Sequence, residues 1–386
     1  MKRAIILVAD GVGCGGADDA AAYGDAGADT LGNLSRRMGG LALPNLQNLG
    51  LGHVTTIAGV PAVAPAGAFG VMQEASAGKD TITGHWEMAG VVTEEAMPTF
   101  PQGFPAAITD ALAAASGRGL LGNKTASGTA IIDELGAEHL RTGKLILYTS
   151  ADSVLQIAAH ENVVPLPELY AICQQARAIA DRWRIGRVIA RPFVGAVGKF
   201  TRTYNRRDYA LLPPEPTLCD AIAAAGMPVV GVGKISDIFG GRGITQSIHS
   251  EGNADGLHHT LDALASLAGG LLFVNLVDFD MVYGHRNDCP GFAAALRQFD
   301  DWLPRFQAAL RPGDAVFITA DHGNDPTTPG TDHTRERVPL LAFGPGVRAV
   351  DLGARRSFCD LGQTIADGLG LAPLPRGQSF ADRILP

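Results

Sequence analysis

Hydrophobic residues along this chain fall into short unbroken runs rather than alternating patterns. Six stand out: Ala4–Ala9, Phe69–Met72, Pro228–Val232, Leu271–Val277, Ala315–Thr319 and Pro339–Phe343. Each ends in a polar or glycine-rich turn. Runs of this length without alternation predict strands buried on both faces, as in a parallel sheet. Between them lie helix-like stretches, Thr217–Ala225, Gly256–Leu267 and Gly291–Leu310. Strand–helix alternation predicts an open, mostly parallel α/β sheet flanked by helices. In such sheets ligands gather beyond the carboxyl ends of the strands. Asp10, Asp280 and Asp321, from three separate segments, each sit at or just past such an end.

The middle of the chain behaves differently. PTFPQGFP opens it, TRTYNRRDY closes it and LLPPEPT follows. This predicts a second α/β domain over 96–210, inserted into a core built from 1–95 and 211–386. The insert is rich in arginine and lysine between Arg182 and Arg207. The whole chain carries a formal net charge of -8, so this local positive field predicts attraction of a small anion. Any single arginine there reads equally well as part of a solvated basic face.

Composition narrows the class. Of 386 residues, 46% are hydrophobic and 18% charged, an ordinary globular balance. The acidic net charge argues against a nucleic-acid partner. Five cysteines are scattered and never in CxxC spacing, which argues against a zinc knuckle or a disulfide framework. The apolar start of MKRAIILVAD breaks at Asp10, too soon for a signal peptide. No run approaches the ~20 apolar residues of a membrane span. A cytoplasmic protein with no membrane partner is expected, and no protein partner is implied.

The densest chemistry lies at 319–341, TADHGNDPTTPGTDHTRERVPLL. Asp321-His322 follows an apolar run, and Asp332-His333 follows eleven residues later in a loop rich in proline and glycine. A second cluster, LVDFDMVYGHRND, brings Asp280 and His285. Carboxylates with neutral imidazoles suit divalent ions such as Mn²⁺ or Zn²⁺. A lone strand-end aspartate is more often a turn or cap residue, and a lone histidine more often a surface one. Asp10, Asp280 and Asp321 together with His285, His322 and His333 supply six ligands, enough for two ions at three each. Two ions ~4 Å apart form a clamp for in-line phosphoryl displacement. Such a clamp needs a nucleophile, and no GxSxG elbow is present. The polar run GKDTITGHWE at 78–87 is the best source of a hydroxyl, with two candidates, Thr81 and Thr83. Asp278 and Asp332, beside the proposed ligands, are candidates for orienting the imidazoles, or are turn formers.

ADG near the N-terminus, GKDTITGHWE, DFDMVYGH and TADHGNDPTTPGTDHTRE, in that order, resemble the phosphopentomutases of the alkaline phosphatase superfamily. The resemblance extends through 126–161, which includes TSADSVLQIAAHE, and through GVGKISDIFGGRGIT at 231–245. It therefore spans nearly the whole chain, and implies an alkaline-phosphatase-like core with an inserted cap. One ion would be held by Asp280, His285 and His333, the other by Asp10, Asp321 and His322. Related cofactor-independent phosphoglycerate mutases carry serine, two residues, then Gly-His. Here Thr81, followed by Ile82-Thr83-Gly84-His85, fits that spacing and Thr83 does not. Thr81 is thereby the implied phosphothreonine, leaving Thr83, His85 and Glu87 as support for its loop. The resemblance further implies two Mn²⁺ (other divalent ions being admissible), a sugar bisphosphate primer, and interconversion of the 1- and 5-phosphates of ribose and 2-deoxyribose. Arg191, Arg202 and Lys234 would meet the non-reacting phosphate, and Ser150 and Asp152 the sugar hydroxyls. A phosphoglycerate mutase, phosphatase or phosphodiesterase on the same core is the competing reading. One departure is Asp10-Gly11-Val12-Gly13, where the family commonly has Asp-Ser-Phe-Gly.

Overall fold

The computed structural model describes residues 1–150 and 152–386. Its strands are β1 (Arg3–Ala9), β2 (Ala68–Met72), β3 (Leu120–Thr125), β4 (Leu145–Thr149), β5 (Val154–His160), β6 (Arg187–Ala196), β7 (Lys199–Arg202), β8 (Arg207–Ala210), β9 (Val229–Val232), β10 (Gln246–Ile248), β11 (Gly270–Leu276), β12 (Asp314–Thr319), β13 (Val338–Phe343) and β14 (Asp351–Arg355). The chain divides into two compact units, Met1–Ala96 with Pro213–Pro386, and Met97–Leu212.

The first unit is built on a sheet of order β10-β9-β11-β1-β12-β13-β2-β14. Every residue of β1, β11, β12 and β13 is buried, as their unbroken apolar runs require. The sheet is mostly parallel, as expected, and one of the apolar runs is the exception. β13 pairs antiparallel with both β12 and β2. Burial on two faces dictates hydrophobicity, not direction, so the run Pro339–Phe343 carries no sign of its polarity. β10 and β14 lie at the two edges; their exposed, polar positions gave no apolar run to read.

β11, β1 and β12 are adjacent and parallel, with Ala9 opposite Leu276 and Val8 opposite Thr319. That register brings three carboxyl ends to one edge of the sheet. Asp10 follows β1 directly, Asp321 stands two residues past β12, and Asp280 lies four past β11. Asp280 is on a π-helical turn, Phe279–Tyr283, a wide turn common at functional sites.

The second unit carries a mixed sheet of order β3-β4-β5-β6-β7, with β8 also on β6. β4 and β5 are fully buried. The helices Ala106–Ser116 and Leu166–Asp181 place Ile108, Leu112, Leu169 and Cys173 in one core cluster with β4, β5 and β6 residues. The helix Gly128–Thr142 places Ile131 and Ile132 in a second cluster with Ile146 and Phe193.

Candidate active site

The segment GKDTITGHWE becomes a helix, Thr81–Met88, begun by a cap. Asp80 Oδ1 accepts from the backbone N–H groups of Ile82 and Thr83, both at 3.1 Å, which satisfies donors that a helix start leaves open. The two threonines then separate. Thr83 is wholly buried, and its hydroxyl lies 3.0 Å from Asp80 Oδ2 and 3.3 Å from Glu74 Oε1. Thr81 is part-exposed, with Oγ1 3.3 Å from His322 Nε2. Gly84 explains how the helix comes so close: a Cβ there would lie 2.2 Å from the carbonyl oxygen of Asp321.

Around Thr81 two groups of ligand atoms converge. Those of Asp10, Asp321 and His322 lie within 4.8 Å of one another, as do those of Asp280, His322 and His333. His285 joins through Asp280, its Nε2 3.2 Å from Oδ2, while His333 Nε2 is 3.2 Å from Oδ1. All six predicted ligands are thus brought to one place, with His322 between the two groups.

Three observations test whether these residues suit divalent ions. Among the described residues, buried Asp10 Oδ1, Asp321 Oδ2 and His333 Nε2 have no hydrogen-bond partner. Orphaned buried atoms of this kind are costly unless something fills the site. Each imidazole also has a fixed orientation. The Nδ1 of His285, His322 and His333 donates to the carbonyl of Thr331, Gly323 and Lys79, at 2.5, 3.0 and 3.0 Å. A carbonyl only accepts, so Nδ1 carries the proton and Nε2 keeps a free lone pair, as a metal ligand must. The electrostatics agree. Burial, with Asp321 and Asp280 nearby, pushes the Asp10 carboxyl well above the usual range, against Lys234 and Asn275. Burial also works to raise Asp321, but His322 and His85 outweigh it and hold that group at about 2. For Asp280 burial is likewise outweighed, here by His333 and His285, and its carboxyl falls well below the usual range. Three carboxylates sharing a buried site call for added positive charge. The residues fit a pair of divalent cations.

Orientation of the rings therefore comes from carbonyls, which leaves the turn-forming alternative for Asp278 and Asp332. Asp278 exchanges hydrogen bonds with Asn253 at the start of the helix Asn253–Ser266. Asp332 accepts from the N–H of His333 and is 80% exposed. His85 donates from Nδ1 to the carbonyl of Thr81, and Glu87 accepts from the N–H groups of Ala75, Ser76 and Phe358 and the hydroxyls of Ser76 and Ser357. Gly11 adopts φ 76°, with its Cβ position 3.0 Å from Asn324 Cβ; a serine there would be strained.

Some participants went unread. Asn275 donates to Asp10 Oδ2 at 2.7 Å, and Asn324 to Asp280 Oδ1 at 2.6 Å. Asn275 left a signal, being the polar residue inside the otherwise apolar LLFVNLV. Glu336 accepts from the hydroxyls of Thr30 and Thr334, and burial moves its carboxyl up to about 7.

The expected substrate residues fall into both units. Lys234 follows β9 in the first unit and is close enough to Asp10 to oppose the rise of its carboxyl. In the second unit, Arg191 on β6 and Arg202 on β7 line a cavity of about 440 Å³ with Thr129, Asp133, Tyr204 and Arg206. Arg191 Nε donates to Gln156 Oε1 at 3.1 Å. Burial, then Arg206, lowers the Arg191 guanidinium from its usual value, so an anion there would relieve crowded cations. Ser150 and Asp152 lie after β4, Asp152 exposed and 3.7 Å from Arg187 Nη2.

A sheet whose carboxyl edge gathers carboxylates and oriented imidazoles defines a metalloenzyme, and the chain belongs to the metalloenzyme superfamily, whose model matches residues 2–373. Two solved structures share the fold across nearly the full length. One is a protein from Pyrococcus horikoshii (TM-score 0.51, 16% identity, 96% of this chain and 97% of that chain). The other is the phosphoglycerate mutase of Leishmania mexicana (TM-score 0.50, 13% identity, 98% and 97%). Within the superfamily the chain belongs to the phosphopentomutases. It is 59% identical over 372 residues to the phosphopentomutase of Anaeromyxobacter sp. (strain K), covering 96% of each chain. It is 56% identical to that of Syntrophotalea carbinolica, covering 100% of this chain and 98% of that one. Like those relatives it is an enzyme of the mutase class.

Proposed function

We propose that the protein interconverts the 1- and 5-phosphates of ribose and 2-deoxyribose, with Thr81 as the phosphoryl carrier. The observation that carries this reading is the position of Thr81 Oγ1, 3.3 Å from His322 Nε2 beside the orphaned oxygens of Asp10 and Asp321. Asp10, Asp321 and His322 would hold one divalent ion, and Asp280, His285 and His333 the other, with Mn²⁺ as the expected metal. When bound, the ions would neutralise charge on the phosphoryl oxygens and ease ionisation of the Thr81 hydroxyl.

Phospho-Thr81 gives its phosphoryl group to the free hydroxyl of a pentose monophosphate. The Oγ1–P bond breaks as the sugar O–P bond forms, and the proton lost by the sugar hydroxyl is balanced by the one taken up at Oγ1, producing a 1,5-bisphosphate. The bisphosphate turns end for end, and its other phosphate returns to Oγ1, releasing the isomeric monophosphate. A sugar bisphosphate would prime an enzyme whose Thr81 carries no phosphate. Arg191 and Arg202, able to meet phosphate with a planar fork, are assigned to the non-reacting phosphate, with Lys234. Ser150 and Asp152 are assigned to the sugar hydroxyls. No helix among the described residues is long and apolar enough to cross a membrane, and all five cysteines are free, in keeping with a cytoplasmic enzyme of nucleoside catabolism.

The test is incubation with Mn²⁺, a trace of ribose 1,5-bisphosphate and ribose 1-phosphate. Ribose 5-phosphate is the expected product. Stoichiometric release of inorganic phosphate would assign a phosphatase instead. Thr81→Ala should lose both turnover and covalent phosphate while keeping its metal; an active Thr81→Ala with a dead Thr83→Ala would move the carrier role to Thr83.

A further inference from the structure

His333 and Arg335 stand two residues apart in an extended segment that bridges Gly323 through Thr334 and Gly16 through Glu336. Alternate side chains of an extended chain share a face. On one face the Thr334 hydroxyl donates to Glu336, 2.7 Å apart. On the other, His333 and Arg335 both reach the loop 74–79 that leads into Thr81. His333 Nδ1 donates to the carbonyl of Lys79. Arg335 Nη1 donates to the carbonyls of Gly78 and Ser76, at 2.6 and 2.8 Å, and to Glu74 Oε2 at 2.8 Å. Its Nη2 donates to the carbonyl of Glu74 at 2.9 Å and to Asp19. Tyr23, whose ring lies under the Arg335 guanidinium at 4.8 Å, donates from its hydroxyl to the carbonyl of Ala77.

This loop has no strand or helix ladder of its own, so its buried carbonyls depend on side chains for partners. Those of residues 74, 76 and 78 all depend on one buried guanidinium, 3% exposed. The next residue after the loop is Asp80, the cap, and then Thr81. The loop whose carbonyls Arg335 gathers therefore leads straight into the cap and the Thr81 helix.

We propose that Arg335 is a positioning residue for phosphoryl transfer, holding the loop 74–79 so that Thr81 Oγ1 meets the phosphorus in line; this rests on the reading of Thr81 as the phosphoryl carrier. A lysine keeps the charge but lacks the planar fork that spans several carbonyls at once. Arg335→Lys should slow phosphorylation of Thr81 by bisphosphate, and kcat with it, by roughly 10²-fold, the scale of a misplacement of about 1 Å. KM and metal content should stay near wild type. Arg335→Ala should be slower still and partly recover kcat in millimolar guanidinium ion, which can enter the vacated site. A merely structural arginine would lower the melting temperature and leave the phosphorylation rate of the folded protein unchanged, and that result in Arg335→Lys overturns the proposal. Should Arg335→Ala fail to fold, the Arg335→Lys rates decide. Thr81→Ala, run in parallel, separates the two ideas. If it is active, the carrier assignment fails; if it is dead while Arg335→Lys transfers phosphate at the wild-type rate, only the positioning role fails.

Discussion

The two halves of the carboxylate–imidazole cluster differ in how far water reaches them. The side chains of Asp10, Asp321 and His322 are at most 1% exposed. Those of Asp280, His333 and His285 are 8, 12 and 34% exposed. The inner half hangs from the ends of two central strands and is held by Asn275 and the N–H of Gly11. The outer half takes its histidines from turns beyond the sheet, oriented by the carbonyls of Thr331 and Lys79. The inner half is thus shut off from water and the outer half lies within its reach, so on the proposed reading an ion in the outer half would exchange with solvent more readily.

Removing an inner ligand should have the largest effect. Asp321→Ala should lower kcat by on the order of 10³-fold, the scale of losing a group that stabilises transition-state charge, and should drop one metal per chain by elemental analysis. Retention of both metals would end the distinction between the halves. His285→Ala should weaken metal binding and regain most activity at raised Mn²⁺. If excess ion fails to restore turnover, the outer half is no more exchangeable than the inner. Gly84→Ala probes the backing of the inner half. Alanine usually favours a helix over glycine by about 1 kcal/mol, yet here the approach to the Asp321 carbonyl should make the change destabilising by roughly 1–3 kcal/mol. Denaturant unfolding measures it, and a stabilised variant would refute the close packing. Asp332→Ala should be the mildest, within about 0.5 kcal/mol and with unaltered metal content, since the neighbouring His333 is oriented by Lys79.

Much of this was legible in the chain because local chemistry carried it. Asp10, Asp280 and Asp321 could be read from their places after apolar runs, and the three histidines from the density of ligands around them. Arg335 and Asn324 could not, because their partners at Gly78 and Asp280 lie 257 and 44 positions away, and no local pattern encodes such a bond. The strand β13 was visible but its direction was not, since packing on both faces leaves polarity unmarked. The imidazole carbonyl partners were hidden for a third reason. Backbone acceptors have no residue identity, so attention fell on the adjacent aspartates instead.

Gly84 bears on how the catalytic cycle moves. With only a hydrogen at that position, the Thr81 helix rests directly on the backbone of Asp321, so the proposed carrier and the proposed inner ligand would form a single mechanical part. In the proposed cycle one hydroxyl must face two different phosphates in turn. Close seating of the helix disfavours a swing of its backbone toward the second phosphate, so in that proposed cycle the turning would fall to the sugar.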